Sequence, residues 1–351
     1  MTTTVRYFGW PLGLTILGLI LAFAVGYLST GTIAGGISFF AIGVVLAALE
    51  ISLSFDNAIV NANKLKTMDP VWQRRFLTWG ILIAVFGMRV IFPLAVVAIA
   101  AHIGPIQAVV LAASKPAEYA AIMNDAHLAI AAFGGTFLMM VALTYFIDEE
   151  KEVDWVHAVE HRLRRCASIR GLEMAFVLML ALLISEAQPE ADEMTFLFSA
   201  VCGLVTFSAV DILGRVLDAS NEVTGAAVRG GFGAFLYLEV LDASFSFDGV
   251  VGAFALTQNL FLIAIGLGIG ALYVRSMTIM LVERGTLAQF RYLEHGAFYS
   301  ILVLSVIMYA QSMVHVPEVI TGLLGASFIM LALWSSVQYN KRVAAYGADH
   351  A

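Results

Sequence analysis

Two stretches of the sequence place the same acidic and polar residues within apolar surroundings. Residues 50–56 read EISLSFD and residues 242–248 read DASFSFD, so both follow the pattern acid-x-Ser-x-Ser-Phe-Asp at an offset of 192. Asn57 follows the first motif, and neither motif contains Cys or His. Carboxylate, hydroxyl and amide oxygens are the ligands that hard divalent cations prefer. The motifs therefore predict a site for Mn²⁺, Ca²⁺ or Mg²⁺.

Five acidic residues fall inside predicted membrane spans, namely Glu50, Asp56, Glu239, Asp242 and Asp248. One charged side chain at the centre of a span costs about 2.5–3.5 kcal/mol, so five acids require compensation. Pairing with Arg89 and Arg275, protonation and a bound cation could each supply it. Because two arginines cannot neutralise five acids, we favour a cation. A structural polar network and a site for protons or an organic substrate are the alternatives.

The motif residues can be assigned different roles in such a site. The predicted metal ligands are Glu50, Asp56, Asn57, Asp242 and Asp248. Candidate additional ligands are Ser54, Glu239 and Ser246. We expect Arg89 and Arg275 to balance charge when no ion is bound, the alternative being that they reach a membrane interface by snorkelling.

Helix geometry constrains the first motif. Glu50 and Asp56 are six residues apart, which on a straight α-helix is a rotation of about 240°. Either the helix unwinds around residues 54–56, which would expose backbone carbonyls, or the two acids serve different sides. Gly249 favours local unwinding in the second motif as well.

The composition indicates that a lipid bilayer is the solvent of these motifs. Hydrophobic residues make up 60% of the chain, charged residues 13%, and the mean hydropathy is +0.88. A soluble domain carries about 25% charged residues. We predict an all-α, polytopic membrane protein with about ten transmembrane helices, near residues 9–29, 38–62, 77–101, 128–147, 171–187, 194–214, 231–256, 260–282, 297–314 and 318–338. The first run is too long for a signal peptide and is expected to be a helix.

The distribution of basic residues supports this arrangement. With a cytoplasmic amino terminus, 16 of the 19 lysines and arginines fall on the inner side, Lys115 falls outside, and Arg89 and Arg275 fall within helices. We therefore expect a multi-pass protein of the plasma membrane, the bacterial inner membrane being favoured, with both termini in the cytoplasm.

The two motifs imply an internal repeat of inverted topology. They fall on the second and seventh predicted helices, which cross the membrane in opposite directions. The helices that follow read GILIAVFGMR at 80–89 and GLGIGALYVR at 266–275, each with Gly first and Arg tenth. Inverted repeats are the architecture of many secondary transporters. We divide the chain into a first helix and connector (1–37), a three-helix repeat (38–147), an amphipathic segment with two extra helices (148–230), the second three-helix repeat (231–315) and a last helix with a tail (316–351).

Two connections are long enough to hold structure of their own. In the inner one, 148–170, Trp155, Val159 and Leu163 recur at helical spacing and predict a short amphipathic helix on the membrane surface, whose charges would form a solvated face. In the outer one, 102–127, Pro116 fits the first turn of a short helix that either caps the outer mouth or is a plain connector.

At these motifs the chain resembles the TerC family of integral membrane proteins, and more closely a branch of it whose function is unknown. The resemblance rests on EISLSFDNAIV at 50–60, on YLEVLDASFSFDGVVGAFA at 237–255 and on the helix that ends in Arg275. It implies the fold of the lysine-exporter superfamily, manganese efflux and a historical association with tellurium resistance. It also implies that Glu50, Asp56, Asp242 and Asp248 bind metal with Asn57 alongside. The chain departs from a minimal TerC protein in its extra helices, its long connections and Glu239.

Two functions from different classes follow. We favour a secondary transporter that exports a divalent metal cation, Mn²⁺ above others, through a carboxylate site at the repeat interface. The alternative is a membrane scaffold or metal-delivery protein of the tellurium-resistance type. No nucleophile–base constellation or phosphate-binding loop is present in the sequence, so we do not expect an enzyme. The expected partners are lipid and metal ion, with a homo-oligomer left open. With a net charge of −7 and no basic patch, we expect no nucleic acid.

Overall fold

The computed structural model describes residues 3–66, 68–80, 83–148, 151, 153–165, 169, 171–223, 231–314 and 316–348. All regular elements within these ranges are helical, as the predicted all-α class requires. They are α1 Thr3–Thr30, α2 Ile33–Leu53, α3 Phe55–Lys66, α4 Pro70–Arg75, the π-helices π1 Phe76–Gly80 and π2 Ile83–Ile91, α5 Phe92–Ala100, α6 Pro105–Ser114, α7 Pro116–Asp125, α8 His127–Ile147, α9 His157–Arg165, α10 Leu172–Glu186, α11 Glu190–Val223, α12 Phe232–Leu256, α13 Leu260–Arg284, α14 Thr286–Gln289, α15 Leu293–Gln311 and α16 Glu318–Ala348.

Several of these helices are long and apolar enough to cross a membrane. Seven meet that standard among the described residues, and an eighth does if the bent pair Arg89–Ala100 and Pro105–Ser114 counts as one span. The pair turns by 103°, as a broken span or a re-entrant loop would. Two other predicted spans are present as helices without meeting it, since α10 has 15 residues and α12 carries three acids. The chain is thus a multi-pass membrane protein with seven or eight candidate spans.

The outer surface of the helices is apolar, as lipid contact requires. Large side chains are widely exposed there, including Trp10 and Leu28 on α1, Phe198 on α11 and Trp334 on α16. Soluble monomers rarely expose contiguous apolar surface of this extent. Most of the polar motif residues, in contrast, are buried, namely Glu50, Ser54, Asp56, Asp242, Ser244 and Ser246, whereas Ser52 is exposed.

The first motif interrupts its helix where helix geometry predicted a break. α2 ends at Leu53, α3 begins at Phe55, and Ser54 between them has φ −103° and ψ 16°. The break brings Glu50 and Asp56 to the wall of one cavity, as the first of the two alternatives requires, but the carbonyls of Glu50 and Ser54 stay hydrogen-bonded to Ser54 and Ala58 N–H. The matching expectation for the second motif was wrong, because α12 continues unbroken through Gly249.

The helix that carries Arg89 is underwound. π1 and π2 precede α5, and Arg89 lies near the end of π2. Pro93, at the start of α5, has no N–H to donate to the preceding turn, so an α-helical hydrogen bond is missing there. π-helical turns are rare and occur often at functional sites.

The inner connection contains the predicted short helix, α9, on which Arg162 and Arg165 are exposed as predicted, but Glu160 does not lie on a solvated face. Glu160 is fully buried and accepts hydrogen bonds from the backbone N–H groups of Trp155 (3.2 Å) and Val156 (3.0 Å). Its other oxygen pairs with Lys151 at 2.5 Å and lies 3.4 Å from His295 of α15. A buried acid therefore holds this segment against the helices together with Leu163 and Trp155 of the apolar stripe.

The outer connection is helical throughout most of its length. Pro116 occupies the first turn of α7, as predicted, and α6 precedes it. Tyr119 and Met123 of α7 are fully buried. This helix is consequently part of the packed structure and not an exposed loop.

Candidate metal site

The two motifs lie against each other, with their helices running in opposite directions. Asn57 of α3 donates a hydrogen bond to Oδ1 of Asp242 on α12 at 2.5 Å. At the other end of the contact, a Cβ placed on Gly249 would lie 3.0 Å from Oε2 of Glu50. Gly249 therefore serves close packing of the Glu50 carboxylate against α12, and not the unwinding of that helix.

One carboxylate oxygen of Glu50, Oε1, contacts two hydrogen-bond donors. It forms an ion pair with Arg89 and accepts a hydrogen bond from Ser54 at 3.1 Å. Arg89 also donates through Nε to the carbonyl of Leu267 in α13, at 3.1 Å. The pair is buried, with side-chain exposures of 4% for Arg89 and 3% for Glu50. A Cβ on Gly270 would lie 2.4 Å from that of Glu50, so α13 admits this carboxylate only because it has glycine there.

Asp56 is satisfied by neutral donors. Its Oδ2 accepts a hydrogen bond from the hydroxyl of Ser300 in α15 at 2.6 Å, and its Oδ1 accepts one from the N–H of Asn57 at 2.8 Å. It lies in the first turn of α3, where the positive end of the helix dipole favours an anion. Among the described side chains, Asp56 therefore has hydrogen-bond donors but no basic partner.

A cavity beside Asp242 gathers oxygen atoms that have no hydrogen-bond partner. Buried, unpartnered oxygens belong to Asp242 (Oδ2), Glu239 (Oε1) and Asn61 (Oδ1), which all line this cavity, and to the neighbouring Asn57 (Oδ1). It has about 40 Å³ of space open to water-sized molecules, against the 10–15 Å³ or so that one water needs. The two carboxylates and the Asn61 carbonyl that line the cavity are an all-oxygen donor set of the kind that hard divalent cations take, with the Asn57 carbonyl nearby. We name this space the Asp242 cavity.

The Asp242 cavity also contains both motif-associated arginines. Arg89 and Arg275 line it together with Thr278. Arg275 donates to the carbonyl of Phe76 at 3.4 Å and pairs with no acid among the described side chains. Of the two arginines, the one that neutralises an acid here is Arg89.

A second, smaller cavity lies on the other side of the motif contact. It has about 20 Å³ of space and is lined by Glu50, Ser54, Asp56, Ser300 and Thr321, among others. We name it the Asp56 cavity. Along α12 the Asp242 cavity is lined by residues 239 and 242 and the Asp56 cavity by residues 245 and 249, so the two spaces are stacked along the helix axis. The bond between Asn57 and Asp242 and the pair between Glu50 and Arg89 lie between them.

The predicted site residues are distributed unevenly over this arrangement. The structure brings together Glu50, Asp56, Asn57, Asp242, Ser54 and Glu239. Ser246 is buried in α12 but lines neither cavity. Asp248 belongs to α12, and its side chain lies outside the described part of the structure.

Four polar residues of the site were not predicted: Asn61, Thr278, Ser300 and Thr321. Asn61 could have been found, because it lies four residues after Asn57 on a helix and so on the same face. The other three are single hydroxyl residues in apolar helices, a pattern that more often reflects a bond to the helix's own backbone.

Comparison with known proteins adds one match. The model of the family described as "Protein of unknown function (DUF475)" matches residues 55–343. No curated protein and no solved structure matches the chain.

Proposed function

We propose that this chain, which belongs to the DUF475 family of proteins of unknown function, is a secondary transporter that exports a divalent metal cation, with Mn²⁺ favoured. The proposal rests on the unpartnered oxygens of Asp242, Glu239, Asn57 and Asn61. Buried polar atoms are almost always hydrogen-bonded, so three unpartnered oxygens on one cavity, with a fourth on the neighbouring Asn57, favour a ligand there. A hard cation would supply that ligand, whereas a structural network would leave none of these oxygens free.

The contact between the motifs supports the inverted repeat on which this proposal depends. At the offset of 192, Glu50 corresponds to Asp242 and Asn57 corresponds to Gly249. The contact of Glu50 with Gly249 therefore has the contact of Asp242 with Asn57 as its counterpart. Two helices related by a twofold axis in the membrane plane make reciprocal contacts of this kind.

The two cavities support alternating access. Transporters with inverted repeats bind their substrate near the midplane and expose it to one side at a time. Here the Asp242 cavity lies towards the predicted inner ends of α3 and α12, and the Asp56 cavity lies towards their outer ends. We propose that the ion enters at the Asp242 cavity, separates Asn57 from Asp242, and leaves past Asp56. Protons would take the place of the ion on the carboxylates during the return.

Transport by the purified protein tests the proposal. In proteoliposomes that contain a Mn²⁺-quenched dye, we expect wild-type protein to carry Mn²⁺ and the variants Asp56→Asn and Asp242→Asn to lose at least tenfold in initial rate. Asp248→Asn, predicted from the motif, belongs in the same series. Asp192→Asn is the matched control, because Asp192 is an exposed carboxylate in the first turn of α11. Normal flux through both Asp56→Asn and Asp242→Asn would end the proposal.

The same vesicles separate this function from the scaffold alternative. They contain no partner protein, so a scaffold or metal-delivery protein would show no flux in them. The docking of the inner segment through Glu160 also leaves fewer of its charges available to a partner than the sequence suggested. Flux that depends on Asp56 and Asp242 in vesicles therefore favours the transporter.

A further inference from the structure

The inner connection holds a cluster of metal-ligating side chains outside the motif helices. Asp154, His157 and His161 each present one ligand atom within 4.8 Å of the others. His157 and His161 are four residues apart on α9 and so share a face, and Asp154 lies in the turn before that helix. The rings of His157 and His161 stack, with centroids 5.1 Å apart and 26° between their planes. From this arrangement we infer a second metal site, for a divalent transition-metal ion of the Zn²⁺ class.

The hydrogen bonds of the cluster leave the required atoms free. Oδ2 of Asp154 accepts from Arg164 at 2.9 Å and lies 3.2 Å from Nδ1 of His157. Oδ1 of Asp154 and Nδ1 of His161 are buried and have no hydrogen-bond partner in the described structure. Because both atoms are buried, they are withheld from water as well as from the protein. Each therefore needs a ligand for the same reason as the oxygens of the motif site.

The geometry needs only a small closure. Zn²⁺ holds nitrogen and oxygen ligands at about 2.0–2.2 Å, which puts tetrahedral donors about 3.4 Å apart. His157 is 77% exposed and can turn towards the other two residues without disturbing packing. Arg164 stays on Oδ2 and orients the carboxylate, as groups beyond the ligands commonly do in metal sites. The fourth position would face solvent and take water.

The donor chemistry distinguishes this site from the one between the motifs. Two imidazole nitrogens with one carboxylate suit Zn²⁺ and its neighbours in the transition series, whereas the all-oxygen set of the Asp242 cavity suits harder ions. Glu160, on the same helix, holds α9 against His295 of α15 and is not part of the cluster. An ion bound here would fasten the preceding turn to a helix that is already docked.

Metal binding to the purified, untagged full-length protein tests this inference. After removal of metal with a chelator, Co²⁺ is titrated as a spectroscopic probe, and bound Zn²⁺ is counted after desalting. We expect wild-type protein to develop a visible Co²⁺ band and retain one equivalent of Zn²⁺ that the double variant His157→Gln/His161→Gln loses. His102→Gln is the matched control, since His102 is exposed on the other connection.

Two further variants keep the outcome decisive. The single substitution His157→Gln changes an exposed ring, so the variant should fold normally. It should still bind Co²⁺ at least tenfold more weakly than wild-type protein. Asp242→Asn should retain one equivalent of Zn²⁺, and that result would distinguish this site from the proposed transport site. Equal Zn²⁺ content in wild type and His157→Gln, or no Co²⁺ band in wild type, would overturn the inference whatever the transport assay shows.

Discussion

Breaking the buried ion pair between Arg89 and Glu50 should be among the most damaging single changes available in this chain. Arg89→Gln leaves the Glu50 carboxylate only 3% exposed, with Ser54 as its remaining donor. Removal of one partner from a buried pair typically costs about 3–5 kcal/mol, because the other charge stays desolvated. We expect a loss of that size in the free energy of unfolding. Glu50→Gln should cost less, because Arg89 keeps its bond to the Leu267 carbonyl.

A double-mutant cycle converts this expectation into a measurement. The four proteins are unfolded in detergent with denaturant, and the free energy of unfolding is followed by circular dichroism. Because Glu50→Gln/Arg89→Gln contains no buried charge at either position, its loss should be smaller than the sum of the two single losses by at least about 2 kcal/mol. Arg275→Gln is the control and should cost about 1 kcal/mol, the value of one hydrogen bond. Additivity within about 0.5 kcal/mol would refute the account of this pair.

Two further substitutions test the surroundings of the site and the inner segment. Gly270→Ala would place a methyl group 2.4 Å from Cβ of Glu50 and should lower the free energy of unfolding by about 1–3 kcal/mol. Gly13→Ala is the control, because its methyl group meets open space and should not lower the free energy of unfolding. Equal effects of the two substitutions would contradict the close approach of Gly270 to Glu50. Glu160→Gln should release the inner segment and speed tryptic cleavage within 153–165. Glu118→Gln, which removes one partner of an exposed ion pair, should leave the rate of that cleavage unchanged. Unaltered cleavage of Glu160→Gln would show that the buried acid does not hold the segment.

The positions of the helices could be read from the sequence, but their exact form could not. Long apolar runs bounded by polar residues predicted ten spans, each of which overlaps described helices, but only seven or eight of these are long and apolar enough to be candidate spans. The break at Ser54 was one of the two alternatives that the six-residue spacing of Glu50 and Asp56 left open, since a straight helix would separate them. No comparable argument exists for π1 and π2. Pro93 removes one α-helical hydrogen bond at the end of π2, but nothing in the sequence marks π1.

The candidate site could be predicted where acids stood out and not where neutral groups contributed. A carboxylate in an apolar span is conspicuous because of its cost, so Glu50, Asp56 and Asp242 were identified directly. Ser300 is equally close to the chemistry, yet one hydroxyl in a helix signals nothing by itself. Gly249 was misjudged for a related reason. In a bilayer the helix keeps its hydrogen bonds, so glycine there more often provides a close approach than a break.

The two halves of the proposed repeat hold their equivalent acids, Glu50 and Asp242, by interactions of different strength. This difference predicts which acid an ion reaches first. Glu50 is fixed by a buried ion pair, whose rupture costs about 3–5 kcal/mol. Among the described side chains, its counterpart Asp242 accepts a hydrogen bond from the Asn57 amide and shares its cavity with Arg89, and a hydrogen bond to a charged group contributes about 1.5–3 kcal/mol. The weaker interaction, the hydrogen bond between Asn57 and Asp242, lies beside the unpartnered oxygens. A cation that binds there would offset the free energy lost when this hydrogen bond breaks. If the chain transports as proposed, the Asp242 cavity is therefore the side that accepts the ion first, and Arg89 must release Glu50 before the ion can pass.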